Sequence, residues 1–323
     1  MPGTTNGRQL NRSAMKDAIQ QGTLTGGGRM NQAQFDQFFQ EVVDVPQLLP
    51  RVRTVQMDAA EHKIDKIGVG ERLLQSTTEG EEGELVGVNH GEVEMEAEEV
   101  EIPFTISRQY AEDNIEGENV ADIIMDLFGR QFAVDNEDMG SIGGDPEDEL
   151  TGDDAAFADI NDGWLAIADN EGATTVDHEN ATVDKSMFQR LRTALPNKYR
   201  RGDRELVFVT SQTVKDGYQE YLSDRSTAAG DAMLMTGDEP TPWGDEIVCP
   251  VGWPDSRAMY VQPENLIWAL WRDVNLDVTT EGARKVLQRL HAIGNFTART
   301  DYAIEDIDGV VTAENIAVDN GGA

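Results

Sequence analysis

Four histidines and one cysteine hold most of the nucleophilic and metal-ligating chemistry open to this 323-residue chain. His62, His90, His178 and His291 stand singly, without the short spacing that lets two imidazoles share a metal ion. Cys249 lies in the apolar run EIVCPV and reads as a small buried hydrophobe. A single cysteine builds neither an internal disulfide nor a cysteine cluster. No GxxxxGK(S/T) loop, GxGxxG turn, GxSxG elbow or HExxH pair is present. Asp306-Ile307-Asp308-Gly309 resembles a fragment of a calcium loop. Ile304 at the first ligand position and Asn315 at the twelfth break that pattern. With 61 acidic residues, any two carboxylates lie close by chance, so no acid–base pair can be singled out. The acidic loops 145–154 and 79–84 are suited to loose attraction of Mg²⁺ or Na⁺, and no resident cofactor is expected. Nothing here points to an enzyme.

The remaining pattern is one of surfaces. From Glu71 to Glu101 there are eleven glutamates, and Arg72 is the only strong base. Glu92, Glu94, Glu96 and Glu98 alternate with Val93, Met95 and Ala97, the period of a half-buried strand. At Glu98-Glu99 the parity slips, and Val100, Ile102, Phe104 and Ile106 continue the apolar set. This predicts a β-bulge that bends the strand. With the extended run Val52 to Val69 and the turn-rich Gly80 to Gly91, it predicts a long two-stranded ribbon with an acidic tip. Such a ribbon is marginal alone and needs a surface to lie on, in its own domain or in another copy.

The elements around the ribbon follow from periodicity. Phe35, Phe38, Phe39, Val42 and Val43 stripe a short helix ending before Pro46. Residues 1–34 are basic, with Arg8, Arg12, Lys16 and Arg29 against Asp17, and lack the apolar core of a secretion signal. They are expected to dock on a neighbouring copy. A long helix starts after Asn119, with Val120, Ile123, Ile124, Leu127, Phe128, Gln131 and Val134 on one face, and stops near Gly140. Phe157 to Ala168 and Met187 to Leu195 predict helices, ELVFVT and EIVCPV strands, and SQTVKDGYQEYLSDR a helix capped by Ser211. Lys185 to Arg204 holds seven bases (Arg190, Arg192, Arg200 and Arg201 among them) against Asp203. From Asn265 the chain reads as long strands.

Composition narrows the setting. The formal charge is −35, from 61 acids and 26 bases, 19 of them Arg. Such charge strains a compact fold in dilute buffer, while a screening length of about 3 Å at about 1 M salt removes most of that repulsion. Acid spread along the chain predicts adaptation to high salt. No apolar run approaches the ~18 residues of a membrane span. The mean charge opposes phosphate contact, which leaves the basic N-terminal arm as the part suited to face DNA.

The order of parts, with phrases such as FDQFFQEVVDVPQLLPRVRTVQM, NVADIIMDLFGRQFAVDNEDMGSIGGD, TPWGDEIVCPVGWP, NLIWALWRDVNLDV and FTARTDYAIEDIDGVV, resembles the major capsid proteins of tailed viruses, the Hong Kong 97-like fold. The last phrase holds Asp301 shortly before Ala303-Ile304, as in that family. The resemblance implies an α+β fold with an N-terminal arm at 1–50, an extended β-ribbon loop at 51–108, a peripheral domain with a spine helix at 109–156, a mixed α/β axial domain at 157–264, and closing peripheral strands at 265–323. It implies copies joined as pentamers and hexamers in an icosahedral shell, assembled in the host cytoplasm, with double-stranded DNA held non-specifically inside. Scaffold, portal and decoration proteins are the implied further partners. Salt adaptation points to a virus of a haloarchaeon. Phe35, Phe38, Phe39, Glu92, Glu94, Glu96, Glu98, Arg190, Arg192, Arg200 and Arg201 are the expected intersubunit contacts. No lysine lies between Lys66 and Lys185, so the lysine cross-link of some family members is not expected, and scaffolding would come from another chain. An encapsulin-like nanocompartment is the alternative with the same fold. A halophilic enzyme and a surface-layer protein are more distant ones.

Overall fold

The computed structural model describes residues 46–69, 88–107, 120–202, 204–223, 239–271, 275–279 and 290–318. The stripe Phe35, Phe38 and Phe39, the ribbon tip and Asn119 lie outside the described residues. The fold is built around its longest strand, β11 (Leu290–Ile304). One edge of β11 pairs antiparallel with β4 (Glu98–Ser107). Its other edge pairs first with β10 (Asn275–Thr279) and then with β9 (Leu266–Trp271), and β1 (Arg53–Met57) adds to β9 in parallel. A second sheet runs in the order β5 (Thr174–Thr182), β12 (Val310–Ala317), β8 (Ala258–Val261), β6 (Val207–Thr210), β7 (Glu246–Val248). The third sheet is the hairpin of β2 (Glu61–Val69) and β3 (Val88–Glu96).

Helix α1 (Val120–Ile142) is the predicted spine, and its Phe132, Ala133 and Met139 sit in the main core with Trp164, Trp268 and Tyr302. Helices α4 (Lys185–Ala194) and α6 (Gln212–Ser223), with the single turn α5 (Asn197–Arg200) between them in sequence, cover the second sheet around Phe188, Phe208 and Tyr260. Asp184 caps α4 by accepting the N–H groups of Ser186 and Met187, and Ser211 caps α6 through Val214 N–H, as its position predicted. No helix of the described residues is long and apolar enough to cross a membrane.

Four expectations are corrected. The parity slip at Glu98-Glu99 is no bulge within one ladder: β3 leaves the hairpin at Ala97, and β4 enters the β11 sheet. The face predicted for α1 fails in its C-terminal half, since Gln131 is exposed while Asn136 and Glu137 are buried. The helix predicted over 157–168 is two, α2 (Asp153–Ala158) and α3 (Trp164–Asn170), broken at Asn161-Asp162-Gly163. A side chain at Gly163 would meet the Gly140 carbonyl oxygen at 2.7 Å, so glycine permits this helix contact. Lastly, the resemblance places β12 among the closing peripheral strands at 265–323, yet it pairs with β5 and β8 of the second sheet. The run VVTA is buried on both faces and carries no alternation to reveal its partners.

Candidate functional site

The site of interest is the root of the ribbon. Alternation places Val93, Met95 and Ala97 inward, and Met95 is 3% exposed against Met57, Ile267, Ala269 and Ala303. Burying a side chain of this size is worth about 1.5–3 kcal/mol, so the base of the hairpin is held by its own sheet. The hairpin's two outer edges pair with no other described strand.

Polar contacts fix the same root. The Asp301 carboxylate accepts the backbone N–H of Glu96 at 2.7 Å, that of Tyr302 at 2.8 Å and the Asn161 amide at 3.2 Å. Burial drives its pKa up to about 6 despite these donors. Lys66 of β2 donates to the Glu305 carbonyl at 2.9 Å and lies 3.0 Å from the Asp306 carboxylate. Burial would raise Asp306, but hydrogen bonds from Tyr199 and Lys66 outweigh it and hold the carboxyl below its ordinary range.

Beneath the ribbon lies a cleft of about 760 Å³. Glu92, Glu94, Glu96 and Glu98 line one wall, and Asp159, Asp162 and Glu171 another, with Lys66 the one base in the lining. Ile160, Ile167 and Ile307 are among its apolar lining residues. Burial raises the pKa of Glu171, opposed by Lys66.

Two further nodes brace the frame. Glu137 is fully buried, and its carboxylate accepts the N–H groups of Gln47 (3.3 Å), Leu48 (2.9 Å), Leu49 (3.0 Å) and Val251 (3.0 Å). It thereby ties the end of the N-terminal segment to the spine. Arg257 is 4% exposed, contacts both oxygens of Asp169 at 2.6 Å and reaches Glu147 at 3.2 Å.

The structure places the expected contact residues as follows. Glu92 and Glu94 flank Lys63 on the paired strand; these exposed pairs are worth roughly 0–1 kcal/mol. Glu96 is anchored by its backbone while its side chain is exposed, and Glu98 is exposed where β3 gives way to β4. Arg190 reaches the Asp177 carbonyl at 3.5 Å, Arg192 bonds Asp245 at 3.0 Å and Arg200 bonds Asn197 at 2.5 Å. Arg201 is exposed. Within one chain Arg190, Arg192 and Arg200 have other partners than the ribbon glutamates. Sequence reasoning missed Glu137 and Arg257, since nothing marks one buried charge among so many exposed ones. Asp301 was singled out only as a landmark before Ala303-Ile304. Among the described residues no group of three or more His, Cys, Asp or Glu is arranged to hold a metal.

Two multistranded sheets, a long helix beside them and a hairpin rooted on one sheet make this the mixed α/β fold of phage capsid subunits. Across 96% of its length the chain matches a chain of the satellite phage P4 procapsid, which includes the size determination (Sid) protein, with a TM-score of 0.67, 14% identity and 98% of that chain covered. It matches a capsid chain of a native GTA particle with a TM-score of 0.56 at 15% identity, over 84% of this chain and 90% of that one. A virus-like particle from Pyrococcus furiosus gives 0.53 at 10% identity, over 86% and 96%. In sequence the chain is 28% identical over 307 residues to YqbE of Bacillus subtilis (strain 168), described as a prophage capsid protein, covering 89% of this chain and 93% of that one. No family model matches the chain. The proteins it resembles are capsid components, not enzymes.

Proposed function

We propose that this chain is the major capsid protein of a tailed virus, with the Hong Kong 97-like fold, whose copies assemble into pentamers and hexamers of an icosahedral shell around double-stranded DNA. The observation that carries this reading is the end-to-end match to a procapsid chain, 96% of one against 98% of the other. The physical logic agrees. A two-stranded ribbon with unpaired outer edges gains most by lying on another subunit. The glutamates Glu92 to Glu98 meet bases of a neighbour, and Phe35, Phe38 and Phe39 bury against another copy. In concentrated salt each exposed pair contributes little, so apolar burial dominates adhesion. The shell is adapted to high salt and belongs to a virus of a haloarchaeon, with scaffold and portal supplied by other chains.

A second reading, a cargo-enclosing nanocompartment, is favoured by the likeness to the Pyrococcus furiosus virus-like particle. Light scattering with negative-stain imaging of the native protein in about 1 M salt tests both readings. An icosahedral particle of megadaltons is the expected result, and nuclease-protected DNA inside it separates virus from compartment. A mass that stays at one or two chains across concentrations would overturn the shell.

A further inference from the structure

Among the described residues the exposed large apolar side chains are Ile160 (37%), Val251 (41%) and Trp243 (47%). Two of them sit in opposite electrostatic settings. Ile160 lies in the acidic cleft under the ribbon, between Asp159 and Asp162. Trp243 leans on the basic segment 185–204, for its carbonyl accepts Arg192 Nη1 at 3.2 Å. The same guanidinium bonds Asp245, which also accepts the Tyr260 hydroxyl at 2.8 Å, and Arg200 lies within electrostatic reach of that tyrosine.

Trp243 is held out deliberately by its backbone. Its φ of 55° and ψ of 20° are left-handed, and Gly244 follows at φ 87°. A tryptophan in this region is strained and persists where surrounding contacts fix it, as they tend to at binding surfaces. Tryptophan is among the residues enriched at the hot spots of protein interfaces.

The two patches lie at opposite edges of the second sheet, beside the N-terminal ends of its parallel strands. Trp243 stands three residues before Glu246, the first residue of β7, one edge strand of that sheet. The cleft residues Glu171 and Ile307 lie just before β5 and β12, at the other edge. Strands spaced at about 4.8 Å put three to four spacings, roughly 14–19 Å, between those edges. A chain with complementary patches at opposite edges joins its copies head to tail, and such contacts close into rings when the rotation allows.

We propose that Trp243 of one copy seats in the acidic cleft of the next, over Ile160. This rests on the shell reading and names one contact within it. At about 760 Å³ the cleft has ample room for an indole. Its isoleucines take the ring, its carboxylates accept the indole N–H, and Arg192 follows toward the acidic lining.

The test needs two variants carrying new thiols beside, not on, the anchors. Thr241 and Asp159 are both exposed. Thr241→Cys and Asp159→Cys chains are mixed in about 1 M salt and oxidised. A 159–241 disulfide between chains is expected in the mixture and in neither variant alone, and adding Trp243→Ala to the Thr241→Cys chain abolishes it. Acrylamide quenching supplies a second readout: Trp164, Trp253 and Trp268 are at most 5% exposed, Trp271 is partly buried with the Arg299 guanidinium 4.4 Å from its ring centroid, and the difference between parent and Trp243→Phe isolates Trp243. Assembly should lower quenching at least twofold, and Trp243→Phe should remove that change. Particles that form with no 159–241 link overturn the contact and leave the shell intact. A link found in small oligomers supports the contact and refutes the shell. Protection of position 159 that is indifferent to Trp243 gives the cleft to another occupant, such as the basic residues 1–34, and overturns the proposal.

Discussion

Gly294 of β11 lies directly opposite Phe104 of β4, and the phenyl ring occupies the space a side chain would need. A Cβ at Gly294 would come within 2.2 Å of Phe104 Cζ. Phe104 also packs on Phe128 of the spine at a centroid distance of 4.8 Å, so this cross-strand pair joins sheet to helix. Gly294→Ala should destabilise the chain by about 1–3 kcal/mol through overpacking. Phe104→Leu in the same chain should recover part of that loss, which thermal melts of the single and double variants would show. Additive losses would mean that the ring is not what excludes a side chain at position 294.

Glu137 offers a sharper case. Four backbone N–H groups converge on its carboxylate, three of them from consecutive residues. Glu137→Gln replaces one acceptor oxygen by a donor and strands N–H groups at roughly 1–3 kcal/mol each. The expected outcome is a large stability loss together with faster hydrogen exchange at Leu48 and Leu49. Exchange that stays slow at those two amides would show that the segment is held by its apolar contacts alone.

How much of this was legible in advance differs by element. The extent of α1 was readable, because a 23-residue helix leaves a long periodic trace. The buried face of its C-terminal half was not, because Asn136 and Glu137 are polar groups buried for their hydrogen bonds, which an apolar stripe does not record. The inward set Val93, Met95 and Ala97 and the outward glutamates of the ribbon stand as the alternation predicted. The event at Glu98 was misjudged, because a bulge and a change of sheet leave the same parity slip. The cleft was invisible, since Asp159, Glu171 and Glu92 are brought together only by tertiary packing.

Asp138 gives the pH dependence its sign. Burial, followed by the charges of Asp135, Asp154 and Glu137, raises its pKa to about 6, and burial does the same for Asp301. A carboxyl raised in the folded state binds its proton more tightly there than in the unfolded chain, where its pKa is near 3.9. Its contribution is therefore most favourable below about pH 4 and is lost as pH rises through 6. Asp177, Asp184 and Glu246 are lowered and act in the opposite sense, losing stability on acidification. Asp138→Asn should thus raise stability at neutral pH by about 1–2 kcal/mol, after discounting for partial exposure, and flatten the profile between about pH 4 and 6. Equal melting temperatures for variant and parent at pH 7.5 would mean that the Asp138 charge is already relieved by solvent.

Salt sets the last expectation. With 61 acids against 26 bases, each subunit carries 35 excess negative charges. At about 0.1 M salt these act over roughly 10 Å, and at about 1 M over roughly 3 Å. The ion pairs at the ribbon, such as Lys63 with Glu92 and Glu94, are exposed and would strengthen as salt falls, but each is worth at most about 1 kcal/mol. Self-repulsion is shared by every carboxylate and is the larger effect. The apolar cohesion proposed between copies weakens with dilution of a salting-out anion. Dialysis from concentrated to dilute salt should therefore lower the melting temperature and loosen any assembled particle, as scattering would register. A particle whose scattering and melting temperature are unchanged in dilute buffer would show that its acids are compensated locally, and would remove the case for adaptation to brine.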